Sequence, residues 1–248
     1  MNFLIQGTNG LPDFDFGYEL IKSIEFQDKE LGNYSRLYEV TEYPQIKYYS
    51  VDDYKAWCPV GSVEFVHKYF ENYNIPIPKP INIPKELWDY SNLRPKIVAS
   101  NYKSINPIFV KNIDKIKHSK NGVAWETSSE DTYWQVTTLI EEGFLSEWRC
   151  FIFNGKLLDC KLYSGDWNSE PPREFYIEGA IKTWKSAPCA YTLDIGTIFN
   201  GWTGTENCII EAHNLYSCGL YGFSNRFKYP QMLSQWYSEW LRKNINGN

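Results

Sequence analysis

The longest uncharged apolar runs in the chain are a few residues, as in Phe151-Ile152-Phe153. A membrane-spanning helix needs about 20 apolar residues, so none is expected. The opening Met1-Asn2-Phe3-Leu4-Ile5-Gln6 has no basic region followed by a long apolar stretch, so no secretory signal is read there. Basic charge is not in excess. Lys and Arg total 25 against 30 Asp and Glu, a net charge of -5, which argues against a nucleic-acid partner and against adsorption to anionic lipid. The six cysteines include no C-x-x-C pair, so they read as free thiols of a reducing, cytoplasmic setting. The three histidines, His67, His118 and His213, form no H-E-x-x-H pair. There is no G-x-x-x-x-G-K-[ST] loop, no G-x-G-x-x-G and no G-x-S-x-G, which argues against a P-loop NTPase, a Rossmann dinucleotide site and a hydrolase elbow. Cys208, His213 and Cys218 are evenly spaced but match no common zinc module.

What the chain does have is length and aromatics. Its 248 residues suit one large domain or two small ones. Trp 10, Tyr 19 and Phe 14 make up 17% of it, a load that argues against disorder.

Phe3 to Ile5 reads as a short strand and Tyr34 to Val40 as another. Ser62 is a plausible N-cap for a helix running to about Tyr73, with Val63, Val66 and Phe70 on one face. Four prolines lie between Ile75 and Pro84 and disfavour both helix and central strand. They suggest a stiff connector and a boundary between about residues 75 and 95, with residues 1–90 as a substrate-side block and 91–248 as a second domain. A Pro-rich surface loop inside one domain is the other reading.

Past that point strand signals dominate: Pro107 to Lys111, Trp134 to Ile140 and Glu147 to Phe153. Asn154-Gly155 then supplies the hairpin dipeptide, because both turn positions need positive φ. Lys156 to Tyr163 is the return strand. A helix follows from about Arg173 to Lys185, with Ile177, Ala180, Ile181 and Trp184 inward. Tyr191 to Ile195 and Cys208 to Ala212 are strands. Pro230 to Lys243 is an amphipathic helix with Leu233, Trp236, Tyr237, Trp240 and Leu241 on its buried stripe. The class is α+β.

Four pieces of the second block carry chemistry. Lys111 closes a strand beside a loop holding Lys115, Lys117 and Lys120, and compact ammonium charges there suit polyphosphate. Leu139-Ile140-Glu141-Glu142-Gly143, with Glu147 and Arg149 soon after, is an apolar strand ending in carboxylates that can receive a nucleoside. Asp194 stands late in an apolar strand. Glu211 follows Ile209-Ile210, with His213 and Asn214 just beyond. Magnesium prefers a few carboxylate oxygens together with phosphate and water, and Asp194 with Glu211 offers such a pair.

In this order, Lys111 in F-V-K, Glu147 and Arg149 in S-E-W-R, Asp194 in L-D-I-G and Glu211 in I-I-E-A-H-N, the chain resembles the ATP-grasp superfamily over roughly residues 95 to 243. Ser217 to Phe223 also looks like a clade of such proteins common in phages and bacteria. The resemblance implies an ATP-grasp-like fold of two α+β subdomains. It implies a carboxylate–amine ligase that works through an acyl phosphate, with ATP and Mg²⁺ as cofactors and a small-molecule or peptide carboxylate and amine as substrates. Lys111 would contact ATP phosphates or the adenine side of the cleft, and Lys103 would be a second phosphate lysine. Glu141 or Glu142 would sit at the adenine hinge, and Glu147 would take the ribose. Arg149 would face phosphate or the acyl substrate. Asp194 and Glu211 would hold the metal, with His213 or Asn214 beside them. Where the family usually has Asn, two residues past the metal Glu, this chain has His213, which keeps open a non-catalytic member that binds nucleotide or protein. A carbohydrate-binding β protein is the reading from another class, motivated by the aromatic load.

A plain two-residue turn at Asn154-Gly155 pairs Phe153 with Lys156. Glu147, Arg149 and Phe151 then share one face, and Lys161 falls on the other unless a bulge, a twist or a different turn length intervenes. Lys161 is therefore a candidate catalytic residue only if the strand is irregular. Trp148 and Tyr221 are the remaining aromatic candidates.

Overall fold

The computed structural model describes residues 1–32, 36–45, 53–117, 119–129, 133–140, 143–200 and 204–245. Contacts divide the chain into two compact units, residues 1–78 with 188–190 and 215–248, and residues 79–187 with 191–214. The chain thus divides after Pro78, within the span expected for the boundary, but its C-terminal segment belongs with the N-terminal one instead of with the second domain.

In the first unit, strand β1 (Asn2–Thr8) runs parallel to β3 (Tyr38–Thr41) on one side and β4 (Trp57–Val60) on the other, with the short β2 (Leu11–Pro12) antiparallel to its end. Phe3, Leu4 and Ile5 are all buried, as a central parallel strand covered on both faces requires. Helix α1 (Asp15–Leu31) buries Phe16, Leu20 and Ile24, and stops at Gly32, whose φ of 61° provides a left-handed cap. Helix α2 (Val63–Asn72) starts where expected, with Ser62 Oγ accepting from the Phe65 amide at 3.1 Å. The start of the expected strand at Tyr34-Ser35 lies outside the described residues.

The second unit holds two four-stranded sheets. One, in the order β5-β8-β6-β7, is made of β5 (Lys96–Ala99), β6 (Lys103–Asn112), β7 (Gly122–Glu126) and β8 (Tyr133–Thr138). Ile108, Val110, Trp134 and Val136 are the buried cluster on one of its faces. The other sheet, in the order β10-β9-β11-β12, is made of β9 (Ser146–Phe153), β10 (Lys156–Gly165), β11 (Ala190–Asn200) and β12 (Gly204–Asn214). Helix α3 (Glu174–Thr183) brings Ile177 and Ala180 into one core with Cys150, Ile152, Leu193 and Ala212. Alternation then puts Glu147, Arg149, Asp194, Glu211 and His213 on the sheet's opposite face.

The connector 79–84 ties the two sheets together. The Asn82 carbonyl accepts from the Ala212 amide at 2.7 Å, and its side chain donates to the Asn112 carbonyl at 3.1 Å. Gln135 completes the tie, accepting from the Ile83 amide at 2.9 Å and donating to its carbonyl at 2.8 Å. The second half of the proline-rich stretch, residues 79–84, is therefore a clamp inside the unit, fixing the residues next to Lys111 and Glu211.

The first unit closes with α4 (Tyr229–Asn244), which buries Met232, Leu233, Trp236, Tyr237 and Leu241. Trp240 is only partly covered, its indole donating to the Pro76 carbonyl at 2.8 Å. Among the described residues, no helix is long and apolar enough to cross a membrane.

Candidate functional site

The site is assembled from five strands of the second unit. On β6, alternation places Phe109 and Lys111 opposite the buried Ile108 and Val110. The Lys111 ammonium is paired with Glu211 Oε2 from β12. Asp194 lies directly across from Glu211 in the β11–β12 register, and a bulge follows at once, with Ile195 facing Ile209. The residue left over is Ile210, and it lines the same cavity as Glu211.

Arg149 reaches across from β9 to hold Asp194 with both edges of its carboxylate, Nε to Oδ1 at 2.9 Å and Nη2 to Oδ2 at 2.7 Å. His213 Nε2 lies 3.0 Å from Glu211 Oε1 and 3.4 Å from Asp194 Oδ2. Burial by itself would raise the Asp194 pKa, but hydrogen bonds from Arg149 and His213 outweigh it and hold the carboxyl below its usual range. Burial likewise opposes ionisation of Glu211, and the charges of His213 and Lys111 reverse this. For His213, burial lowers the pKa, but the Glu211 charge and the bond to Asp194 push it up to about 10.

The hairpin corrects the expectation for Lys161. Lys156 does face Phe153, and Asn154 (φ 49°) and Gly155 (φ 70°) make the predicted turn. A register shift between Leu157 and Asp159 then sets Lys161 opposite Arg149. The bulge moves Lys161, its ion-pair partner Asp159 at 3.2 Å, and Tyr163 onto the face of Glu147 and Arg149. Tyr163 donates to Glu147 Oε2 at 2.8 Å, and the Arg149 guanidinium lies 5.3 Å from its ring centre. Burial, with Asp194 and Glu147 nearby, pushes the phenol pKa far up, so Tyr163 is a neutral donor.

A cavity of about 370 Å³ opens between the two sheets. Leu93, Phe109, Val123, Ile140, Phe144 and Ile210 give it apolar walls, while Lys111, Glu147 and Glu211 bring charge to it. This combination of apolar lining and a few convergent polar groups is that of a small-molecule site.

Other expected residues lie elsewhere. Lys103 is exposed, eight positions before Lys111 and across from Glu126, with a break in register between them, and it does not line the cavity. Asn214 falls on the other face of β12, because the register from Glu211 to Asn214 is regular, and it donates to the Lys79 carbonyl at 3.4 Å. Glu141 and Glu142 lie outside the described residues, although their neighbours Ile140 and Gly143 line the cavity. Trp148 pairs with Leu162 on the face away from Arg149, and Tyr221 belongs to the first unit. Tyr163, Asp159 and Gln135 join the site without a mark in the sequence. Only the bulges show the first two, and the third reads as an ordinary strand residue. Among the described residues, the cluster able to hold a metal ion is Asp194, Glu211 and His213, with ligand atoms within 4.8 Å of one another.

A family model for an ATP-grasp domain, family 2 of its clade, matches residues 93–229. No curated protein sequence matches the chain. Among solved structures, the ATP-grasp ligase PsnB complexed with minimal precursor is 9% identical with a TM-score of 0.50, over 94% of this chain and 99% of that one. D-alanine–D-alanine ligase from Bacillus anthracis, complexed with ATP, is 15% identical with a TM-score of 0.49, over 99% of this chain and 95% of that one. At such identities the PsnB likeness speaks to the fold alone.

Proposed function

Since the chain belongs to this family of ATP-grasp domains, a class of ATP-dependent ligases, we propose that it uses ATP and Mg²⁺ to join a carboxylate to an amine through an acyl phosphate. One observation carries the reading: Lys111 of β6, Glu147 of β9 and Glu211 of β12 line one cavity with apolar walls, while Arg149 of β9 and Asp194 of β11 pair on the same sheet face as Glu147 and Glu211. The apolar walls suit a base and Glu147 the ribose hydroxyls. Lys111 and Arg149 are the cations for the phosphate end.

Magnesium fits the donor set. Each carboxylate oxygen carries two lone pairs, so Asp194 and Glu211 can ligate an ion while keeping their bonds to Arg149 and Lys111, and Mg²⁺ needs few protein ligands when phosphates complete its shell. When bound, the ion neutralises phosphate charge. The chain's own part is to position: the clamp at Asn82 and Gln135 holds the Lys111 and Glu211 strands together, and Arg149 fixes the Asp194 rotamer.

The test is a screen of carboxylates and amines with purified protein, read as ADP release and product mass. Mg²⁺-dependent ATP binding and loss of turnover in Glu211→Ala are expected. Absence of nucleotide binding at high ATP with Mg²⁺ sinks the proposal. A second reading, a nucleotide-binding module without turnover, is favoured by His213, whose imidazole stands between both carboxylates. Phosphate or ADP release with any substrate pair counts against it.

A further inference from the structure

Among the described residues, Tyr163 is an aromatic side chain that touches both halves of the cluster. Its hydroxyl donates to Glu147 Oε2 at 2.8 Å, and its ring lies beneath the Arg149 guanidinium that clasps Asp194. The backbone delivers it there: the register shift between Leu157 and Asp159 puts Tyr163 on the face of Glu147, and a second shift, between Leu162 and Ser164, leaves it without a pairing position on β9. We propose that Tyr163 is a positioning residue for nucleotide sugar recognition. It holds the Glu147 carboxylate against the cavity wall so that Oε1, which accepts no hydrogen bond among the described residues, is presented to a ligand hydroxyl.

The chemistry favours such a device. A glutamate carboxylate on a strand facing a cavity sits at the end of three rotatable bonds, and an unanchored one loses rotamer freedom on binding. A neutral phenol bonded to one oxygen removes that loss in advance and leaves the other oxygen aimed. A hydroxyl that Glu147 accepts from would be a sugar diol in this setting, because the rest of the wall nearby is apolar. This inference rests on the proposed ATP site and adds to it which group fixes the ribose contact.

The experiment compares ATP with 2′,3′-dideoxy-ATP, both with Mg²⁺, by titration calorimetry of the full chain. The proteins are wild type, Tyr163→Phe and Tyr163→Leu. Wild type is expected to prefer ATP. Tyr163→Phe should weaken ATP about tenfold, or about 1.4 kcal/mol, a size usual for a hydrogen bond to a charged group, and should leave the dideoxy nucleotide within about twofold. Tyr163→Leu also removes the ring below Arg149 and should weaken both nucleotides. Equal loss for both ligands in Tyr163→Phe, no loss for either, or equal wild-type affinity for the two nucleotides overturns the inference while the ATP site stands. A wild-type chain that binds neither nucleotide overturns the ATP site itself, and this inference with it.

Discussion

Replacing Arg149 by Met tests whether the Arg149–Asp194 pair holds the second unit together. The Arg149 side chain is 10% exposed and that of Asp194 1%, so solvent does little to screen either charge. Removing one partner of such a pair costs about 3–5 kcal/mol, because the remaining charge stays buried without compensation. His213 keeps a contact with Asp194 at 3.4 Å, which places the expected loss near the lower end, about 3 kcal/mol. For a chain of this size that is a fall of roughly 6–12 °C in Tm. Urea denaturation followed by circular dichroism should show a lower midpoint with unchanged slope. The Arg149→Met/Asp194→Leu double variant should recover most of the loss, since apolar replacements of both partners are near neutral. The pH sign follows from Asp194. Its pKa is depressed in the native wild type, so its stabilising contribution is present above its unfolded value of about 3.9 and is lost as pH falls through the lower folded value. In the single variant burial acts without the arginine, the pKa rises, and the deficit is greatest at neutral pH and shrinks on acidification. A loss below about 1 kcal/mol at neutral pH, or simple additivity in the double variant, refutes the reasoning.

Lys111→Ala should weaken ATP binding sharply and should also expose the dependence of Glu211 on its partner, as a raised carboxyl pKa by NMR titration. Gly196→Ala should narrow the cavity. A Cβ there falls 2.6 Å from Phe144 Cε1 and closer still to Cδ1, and displacing that ring costs about 1–3 kcal/mol and several-fold in nucleotide affinity by titration. Gly155→Ala should cost about 1–2 kcal/mol by urea denaturation with nucleotide affinity intact, since its φ of 70° penalises any Cβ while the turn lies at the far end of the β9–β10 hairpin from Glu147.

Where local signals were complete, the fold was legible. Ser62 with Val66 and Phe70 of α2, the Asn154-Gly155 turn, and most of the stripes of α3 and α4 all depend on neighbours within a few residues. Helix α1 escaped although Phe16, Leu20 and Ile24 recur at intervals of four. Its first turn has no side-chain cap, and Gly17, required there because a Cβ would meet Pro12 at 2.9 Å, weakens the helical signal. Strands β5 and β7 escaped because most of their residues are exposed, so no inward and outward alternation marks them. The proline-rich stretch between Ile75 and Pro84 was legible as an extended connector holding the division after Pro78, but the second job of residues 79–84 was not. Proline content reports stiffness, but the bonds from Asn82 and to Gln135 that make it a clamp are tertiary.

The site was legible by residue type and illegible by facing. Lys111, Glu147, Arg149, Asp194 and Glu211 stand out as charges at or near the ends of apolar strands. Which of them can meet depends on register, and register depends on which residue a strand leaves unpaired. The strict alternation of a regular hairpin sets Lys161 opposite Trp148. One extra residue between Leu157 and Asp159 sets it opposite Arg149 and brings Tyr163 to the same face, and a second irregularity leaves Tyr163 unpaired there. No composition rule marks these positions, because Leu158 and Tyr163 are good strand residues whether or not they bulge. What decides is the other face of the same strands. Cys150, Ile152 and Leu193 must meet Ile177 and Ala180 of α3, and the bulges let β10 keep its pairing with β9 while the polar face collects Asp159, Lys161 and Tyr163. The apolar core and the charged site are therefore two results of one register, and a substitution that slips β10 by one residue should damage both at once.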